Sequence, residues 1–375
     1  MRFPSPLTIG QFRPTTRSWY RAKCAICCGV IKAKDLALEE STRPEADAAN
    51  PGEALVRKPR KHEARAAWAG SDLVTLFSLA ALLLPSWILP ERWWAPLWRA
   101  GMHLPLLAKP KAIRRNATTI ARALGDVGTD QARAIARGLK ASVYEIRCQD
   151  LRAWRPGSST NGGWSPKLSL EGEVHLRAAL KGEKGAVLWV SPSVFNSLPT
   201  KIALHAQGYQ VSHLSSPEHG VSDTRFGVAT LNRVRCIPED RYLNQRIVFD
   251  SAAPTTSMRR MMRALKAGEV VSIVAANTEG FEVALAPIFG GVLPVAVGAP
   301  RLAALTGAPL LPTFVFRDPE LGFRIAIEPP IPLDPKQPAD ERTLAAAAEY
   351  LRRSEPWVRR YPEQWRAWSK LILRD

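Results

Sequence analysis

The segment GYQVSHLSSPEHGVSDTRFG, residues 208–227, brings His213, Glu218, His219, Asp223 and Arg225 within thirteen positions. These residue types suit proton transfer: an imidazole titrates near neutral pH, a carboxylate can orient it, and a guanidinium can hold an anionic group beside it. His213 or His219 is the candidate base, Glu218 or Asp223 its orienting acid, and Arg225 a candidate anion ligand. A plainer reading has His213 capping a strand while Glu218 and Arg225 pair in solvent, and spacing alone does not separate the two. Ser191, Ser193 and Ser197 form another polar group, but no Gly-x-Ser-x-Gly elbow surrounds them, which argues against a serine nucleophile. Of the five cysteines, Cys24, Cys27 and Cys28 crowd together in CAICC while Cys148 and Cys236 stand alone. No second pair follows at zinc spacing, so no metal site is expected, and lipidated or inert thiols in a reducing compartment fit better.

Those candidate residues need a scaffold, and the pattern after residue 165 supplies one. LEGEVHLRAALKGEK, LPTKIALHAQ, TSMRRMMRALKAG, GAPRLAALTG and the long ERTLAAAAEYLRRSEPWVRRYP read as helices. GAVLWV, GYQVSHL, RIVFD, EVVSIVAA, APLLPTFVFR and FRIAIEPPI read as strands between them. Such alternation predicts an α/β fold with a mostly parallel central sheet flanked by helices, and ligands gather at the carboxyl ends of such strands. The cluster at 213–225 and the loop after GAVLWV fall at that edge. Upstream, 112–150 has helical periodicity on a basic face, and RPGSSTNGGWSPK breaks it. On the TSMRRMMRALKAG helix, Arg259, Arg260 and Arg263 form either a solvated face or a lipid-phosphate contact.

Residues 1–65 read as a basic, polar and disordered segment without the features of a signal peptide. Residues 66–110 form a separate hydrophobic, membrane-associating segment, and 111–375 the α/β domain. From Leu73 to Pro90 there is no charge, Pro85 would kink a helix, and Trp93, Trp94 and Trp98 follow among arginines. A membrane-dipping or single-spanning anchor is expected, with a buried core helix as the alternative. Lys109, Lys111, Arg114 and Arg115 then place its C-terminal flank, and the α/β domain, on the cytoplasmic side. The chain carries 52 Lys and Arg against 34 Asp and Glu, a net charge of +18, which suits an anionic membrane surface. Twelve tryptophans, many beside arginine, suit the headgroup level or, equally, a core. Nucleic acid is not an expected partner, because no recognition motif accompanies the charge.

Several pieces recur in a telling order. ALKAGEVVSIVA leads to APIFGGVLPVAVGAPRLAALTGAPLLPTFVFR, with Phe289, Gly290, Gly298, Thr306, Gly307 and Pro309 at characteristic offsets, and YPEQWRAW closes the chain. Together with the apolar N-terminal segment, Arg114–Asn116 and GEKGAVLWV, this resembles the bacterial lipid A biosynthesis acyltransferases of the lysophospholipid acyltransferase superfamily, over roughly residues 70–370. The resemblance implies acyl transfer from a thioester, carried by acyl carrier protein or CoA as co-substrate and with no other cofactor, to a hydroxyl of an anionic lipid or glycolipid at the inner, cytoplasmic membrane. Phe289 and Gly290 are then candidates for substrate contact.

One departure is fundamental. In the resembled family the loop after the GAVLWV strand carries a His and, five residues on, an acid; here Pro192 and Ser197 stand at those positions. Neither can take a proton from a hydroxyl. Two readings follow: the base has moved to the 213–225 cluster, or the chain is a catalytically inactive homologue that binds lipid or acyl carrier without turnover.

Overall fold

The computed structural model describes residues 54–57, 66–155, 164–250, 253–275, 282–320 and 322–373. Strand β1 (Ala54–Arg57) precedes a helical stretch of α1 (Gly70–Ile88), α2 (Trp94–Gly101), α3 (Pro105–Ala108), α4 (Pro110–Leu124) and α5 (Thr129–Trp154). The α/β part then runs β2 (Leu168–Glu171), α6 (Glu173–Leu180), β3 (Ala186–Val190), α7 (Leu198–Ala206), β4 (Val211–Ser215), α8 (Arg225–Ala229), α9 (Arg233–Asp240), β5 (Gln245–Val248), α10 (Pro254–Lys266) and β6 (Val270–Val274). After β7 (Glu282–Ile288), β8 (Gly291–Ala296) and α11 (Gly298–Thr306), the chain ends with β9 (Leu310–Asp318), β10 (Gly322–Ile327), α12 (Ala339–Arg360) and β11 (Ile372–Leu373).

The larger sheet has the order β2-β10-β9-β3-β6-β4-β5. Among the described residues its one antiparallel pairing of strands is β10 with β9. β3 (AVLWV) is buried at every position and β6 (VVSIV) at all but its last, as strands covered on both faces must be. Helix α7 packs with α9, and α10 with α11. Right-handed crossovers put the first pair on one face and the second on the other. The long α5 packs on α9 and, on its other sides, receives α1, α2 and α4. A second sheet, β1-β7-β8-β11, is antiparallel throughout.

The mostly parallel α/β arrangement is thus present, with some differences from the periodicity. The helical pattern at 112–150 resolves into α4 and α5, because Gly125 (φ 70°) ends the first and Gly128 precedes the second. LEGEVHLRAALKGEK opens as strand β2; Gly172 (φ 69°) turns the chain where a Cβ would lie 1.9 Å from the Ile327 carbonyl oxygen, and only then does α6 begin. The β7–β8 hairpin was not legible as strands, since Pro287 and Pro294 interrupt the alternation that marks them. Within 1–65, Ala54–Arg57 pairs with β7, and the remainder of that stretch lies outside the described residues.

Among the described residues α1 is the one helix long and apolar enough to cross a membrane. It is not a buried core helix. Leu79 and Leu82 pack inward, whereas Phe77 and Ile88 are each 71% exposed and Val74 and Leu84 are nearly as open. Both its ends are tied to the body. Asp72 accepts hydrogen bonds from the hydroxyls of Ser222 (2.6 Å) and Thr224 (2.8 Å), while at the other end Trp87 donates to the Leu151 carbonyl (3.1 Å) and Arg152 to the carbonyls of Ser86 and Leu89.

Candidate functional site

The strand ends supply the site's geometry. After β3 the loop 191–197 is pinned to the C-terminal turn: Val194 N donates to the Gln364 carbonyl (2.7 Å), and Arg366 N to the Pro192 carbonyl (3.1 Å). Pro192 closes one wall of an apolar cavity of about 250 Å³, shared with Leu293, Val295, Tyr350, Leu351 and Trp365. A second, larger cavity of about 420 Å³ lies between α4, α5 and the loop at Gly220–Val221. Arg366 lines both.

Ser197, the other position singled out by the resemblance, is part of a buried charge cluster. Its hydroxyl donates to Glu239 Oε1 (2.6 Å) and accepts from Lys201 Nζ (2.7 Å), and Lys201 also reaches Glu239 Oε2 (2.6 Å). Arg235 approaches Oε1 at 3.2 Å, Arg246 Oε2 at 2.9 Å, and His219 Nε2 lies 2.9 Å from Oε2. Burial alone would raise the Glu239 pKa, but His219, Lys201 and Arg235 outweigh it and hold the carboxyl well below the ordinary range. Glu239 is therefore a fixed anion. It is too well stabilised to take a proton itself.

His219 is the imidazole this anion orients. Burial lowers its pKa, Glu239 pulls upward, and Arg235 and Lys201 add to the lowering, so the ring is neutral at pH 7. With Nε2 directed at Glu239, the neutral tautomer that donates there leaves Nδ1 as the basic atom. Local structure fixes the ring's place. Asn232, itself buried, accepts from the backbone N–H of Val221 (2.7 Å) and Ser222 (2.9 Å) and donates to the Ser222 carbonyl (2.8 Å). Gly220 passes so close that a Cβ there would sit 2.3 Å from Asn232 Cγ.

The other expected site residues are placed as follows. His213 lies within β4, in register with Arg246 of β5 and Ser272 of β6, with Nδ1 3.4 Å from the Ser272 hydroxyl. Burial, chiefly, pushes its pKa well down. The rings of His213 and His219 are 6.2 Å apart, so the cluster seen in the sequence is partly brought together. Glu218 is half-buried in the loop before His219, and Asp223 and Arg225 are exposed at the start of α8. Phe289 (φ 52°) and Gly290 (φ 71°) form the two-residue turn between β7 and β8. There Phe289 stacks on Trp368 at 5.4 Å and meets Trp365 edge-on at 5.8 Å, and neither turn residue lines the two cavities. Arg260 bonds Gln245 at 3.3 Å. Cys24, Cys27 and Cys28 lie outside the described residues. Among the described residues no group of His, Cys, Asp and Glu could hold a metal ion.

Sequence reasoning passed over Glu239, Lys201, Asp150 and Arg366. Glu239 sits in RCIPEDRY, where Pro238 and adjacent charges look like a solvated turn; only its contact with α7 makes it central. Asp150 lies on α5 with a carboxyl buried in the larger cavity. Burial pushes its pKa up to about 6, with Glu239 adding to the rise and Arg235 and Arg366 opposing it.

A search of curated proteins finds no match. A family model described as bacterial lipid A biosynthesis acyltransferase matches residues 222–372, well under half of the chain. The matched span holds Glu239, Arg235, Arg246 and Arg366; it starts just beyond His219 and leaves out the loop of Pro192 and Ser197. Over that span this chain resembles the bacterial lipid A biosynthesis acyltransferases.

Proposed function

We propose that this protein is a membrane-associated acyltransferase-like enzyme that passes a fatty acyl group from a thioester donor, acyl carrier protein or CoA, to a hydroxyl of a lipid or glycolipid. The observation that carries this reading is the family match over 222–372. His219 is the base. Its Nδ1 takes the acceptor hydroxyl proton as that oxygen attacks the thioester carbonyl; the carbon–sulfur bond breaks, and the proton passes to the departing thiolate. Glu239 orients the ring and balances the imidazolium that forms. The apolar cavity beside Pro192 takes part of the acyl chain.

The protein rests on an anionic membrane through the open face of α1 rather than through a spanning helix. Because α1 is hydrogen-bonded to the body at both ends, the helix cannot cross a bilayer without leaving those partners unpaired. We place it on the cytoplasmic side, where the anionic leaflet suits a chain of +18. A second reading, an inactive homologue that binds lipid or acyl carrier, is favoured by the loss of the dyad at Pro192 and Ser197 and by the fact that no histidine lines either cavity.

The test is lipid mass spectrometry of host cells lacking the protein and complemented with wild type, His219→Ala, His213→Ala or Glu239→Gln at equal abundance. An acylated species that vanishes without the protein, returns with wild type and falls at least about a hundredfold with His219→Ala fits a general base. Full activity of His219→Ala sinks that assignment. A deletion that leaves every lipid unchanged favours the binding protein.

A further inference from the structure

The apolar cavity beside Pro192 holds one polar group that its own walls leave unserved. Leu293, Val295, Leu351 and Trp365 line it with buried apolar surface, and its two exposed lining residues, Arg366 and Lys370, mark its opening. Among the buried lining residues is Tyr350 of α12, whose hydroxyl has no hydrogen-bond partner among the described residues. A phenol stripped of water and left unpaired costs free energy, and this ring cannot turn away to find a partner. Trp189 of β3 packs on it at 4.3 Å and Phe314 of β9 stacks on it at 5.7 Å. Burial, chiefly, raises the pKa of the phenol, so the group stays protonated and offers an O–H. Ser354, one turn further along α12 and also lining the cavity, opposes that rise, but its proton goes to the Tyr350 carbonyl (2.8 Å) and it completes no bond with the ring hydroxyl.

A saturated hydrocarbon in this cavity would leave the phenol as it is. A chain carrying an oxygen at the right depth would pair it, and the discrimination is large because the alternative is a buried polar group with no partner. The two side chains also say which oxygen fits. Tyr350 presents a donor, whereas Ser354, having given its proton to the backbone, presents lone pairs. A hydroxyl accepts from the first and donates to the second; a ketone can do only the former.

We propose that this cavity takes an acyl chain bearing a hydroxyl group, which accepts from Tyr350 and donates to Ser354 Oγ, and that Tyr350 thereby selects hydroxyacyl over plain acyl chains. The proposal rests on the acyltransferase reading and adds to it the class of acyl group transferred.

The test is calorimetric titration of the full chain in detergent micelles with methyl decanoate and with its 2-, 3- and 10-hydroxy derivatives, neutral stand-ins for the acyl thioester. At least one hydroxy ester should bind wild type at least about fivefold tighter than methyl decanoate, and the preferred isomer gives the depth of Tyr350 along the chain. Tyr350→Phe keeps the packing of the ring and removes only its hydroxyl. It should abolish the preference and bind methyl decanoate at least as tightly as wild type. Its urea midpoint should be no lower than that of wild type, because an unpaired buried group has been removed. Ser354→Ala should also reduce the preference. Methyl decanoate binding as tightly as every hydroxy ester, an undiminished preference in folded Tyr350→Phe, or saturable binding of none of the esters overturns the proposal. Binding is read here without turnover. Acyl transfer with no hydroxyl preference therefore removes this proposal alone, and a hydroxyl preference in binding with no transfer removes only the enzyme.

Discussion

Ionising Asp150 costs free energy even inside a cavity lined by four cations, because desolvation outweighs their attraction. Its folded pKa of about 6 lies above the ordinary 3.8, so the native state holds the proton more tightly than the unfolded chain does. Stability from this group is therefore fully present below about pH 4 and lost as pH rises to about 6, a loss of at most about 3 kcal/mol. Asp150→Asn should then raise the urea midpoint at pH 7.5, with the gain vanishing near pH 4. A gain that persists at pH 4 would place the effect elsewhere. Glu239 runs the other way: its depressed pKa contributes stability above about pH 4.5 that is lost on acidification. Glu239→Ala should be severely destabilising, since Lys201 and Arg235 would lose the acid they are paired with and Arg246 would keep only the half-exposed Asp240.

At the scale of elements, the segment between β4 and α9 is held by Asp72 at Ser222 and Thr224 and, nearer the candidate base, by Asn232. Asn232 serves two backbone donors and one carbonyl of residues 221–222, next to His219. Asn232→Ala should cost about 2 kcal/mol by denaturant unfolding. Under the proposed mechanism it should also lower kcat more than KM, because the base is displaced while the cavities are kept. A variant that loses stability but keeps kcat would separate this loop from the chemistry. The β7–β8 turn is the contrasting case. Phe289 and Gly290 adopt positive φ and Phe289 sits against Trp365 and Trp368, so Phe289→Ala should cost about 3 kcal/mol by the same measurement.

For the whole molecule, Trp68, Trp93, Leu97 and Leu104, like the open face of α1, are exposed apolar side chains between residues 66 and 104. A patch of this kind on a chain of +18 fits the surface of an anionic bilayer. Phe77→Ser combined with Ile88→Ser should reduce co-sedimentation with anionic vesicles severalfold while leaving the unfolding free energy within about 0.5 kcal/mol, since both side chains are exposed. Cysteines introduced as Gly70→Cys and Glu91→Cys should label from the same side of oriented vesicles. Labelling from opposite sides would mean that α1 spans the membrane and leaves its partners on α5.

The sequence by itself determined the α/β alternation, the parallel strands β3, β6 and β9, and the order of pieces that marks the acyltransferase resemblance. Those depend on local periodicity and on backbone positions that tolerate few residue types. It also showed Pro192 and Ser197, neither of them a base, at the positions where the resembled family carries its proton-transfer pair, because the residue type at a position is readable anywhere. Only the tertiary structure decided that the carboxylate beside His219 is Glu239, that Ser197 and Lys201 join it, and that Asp150 and Arg366 share one cavity. These groups come from three helices, two loops and the C-terminal turn of the fold. What unites them is a common volume shielded from water, where charge interactions grow strong, and no spacing along the chain encodes that volume.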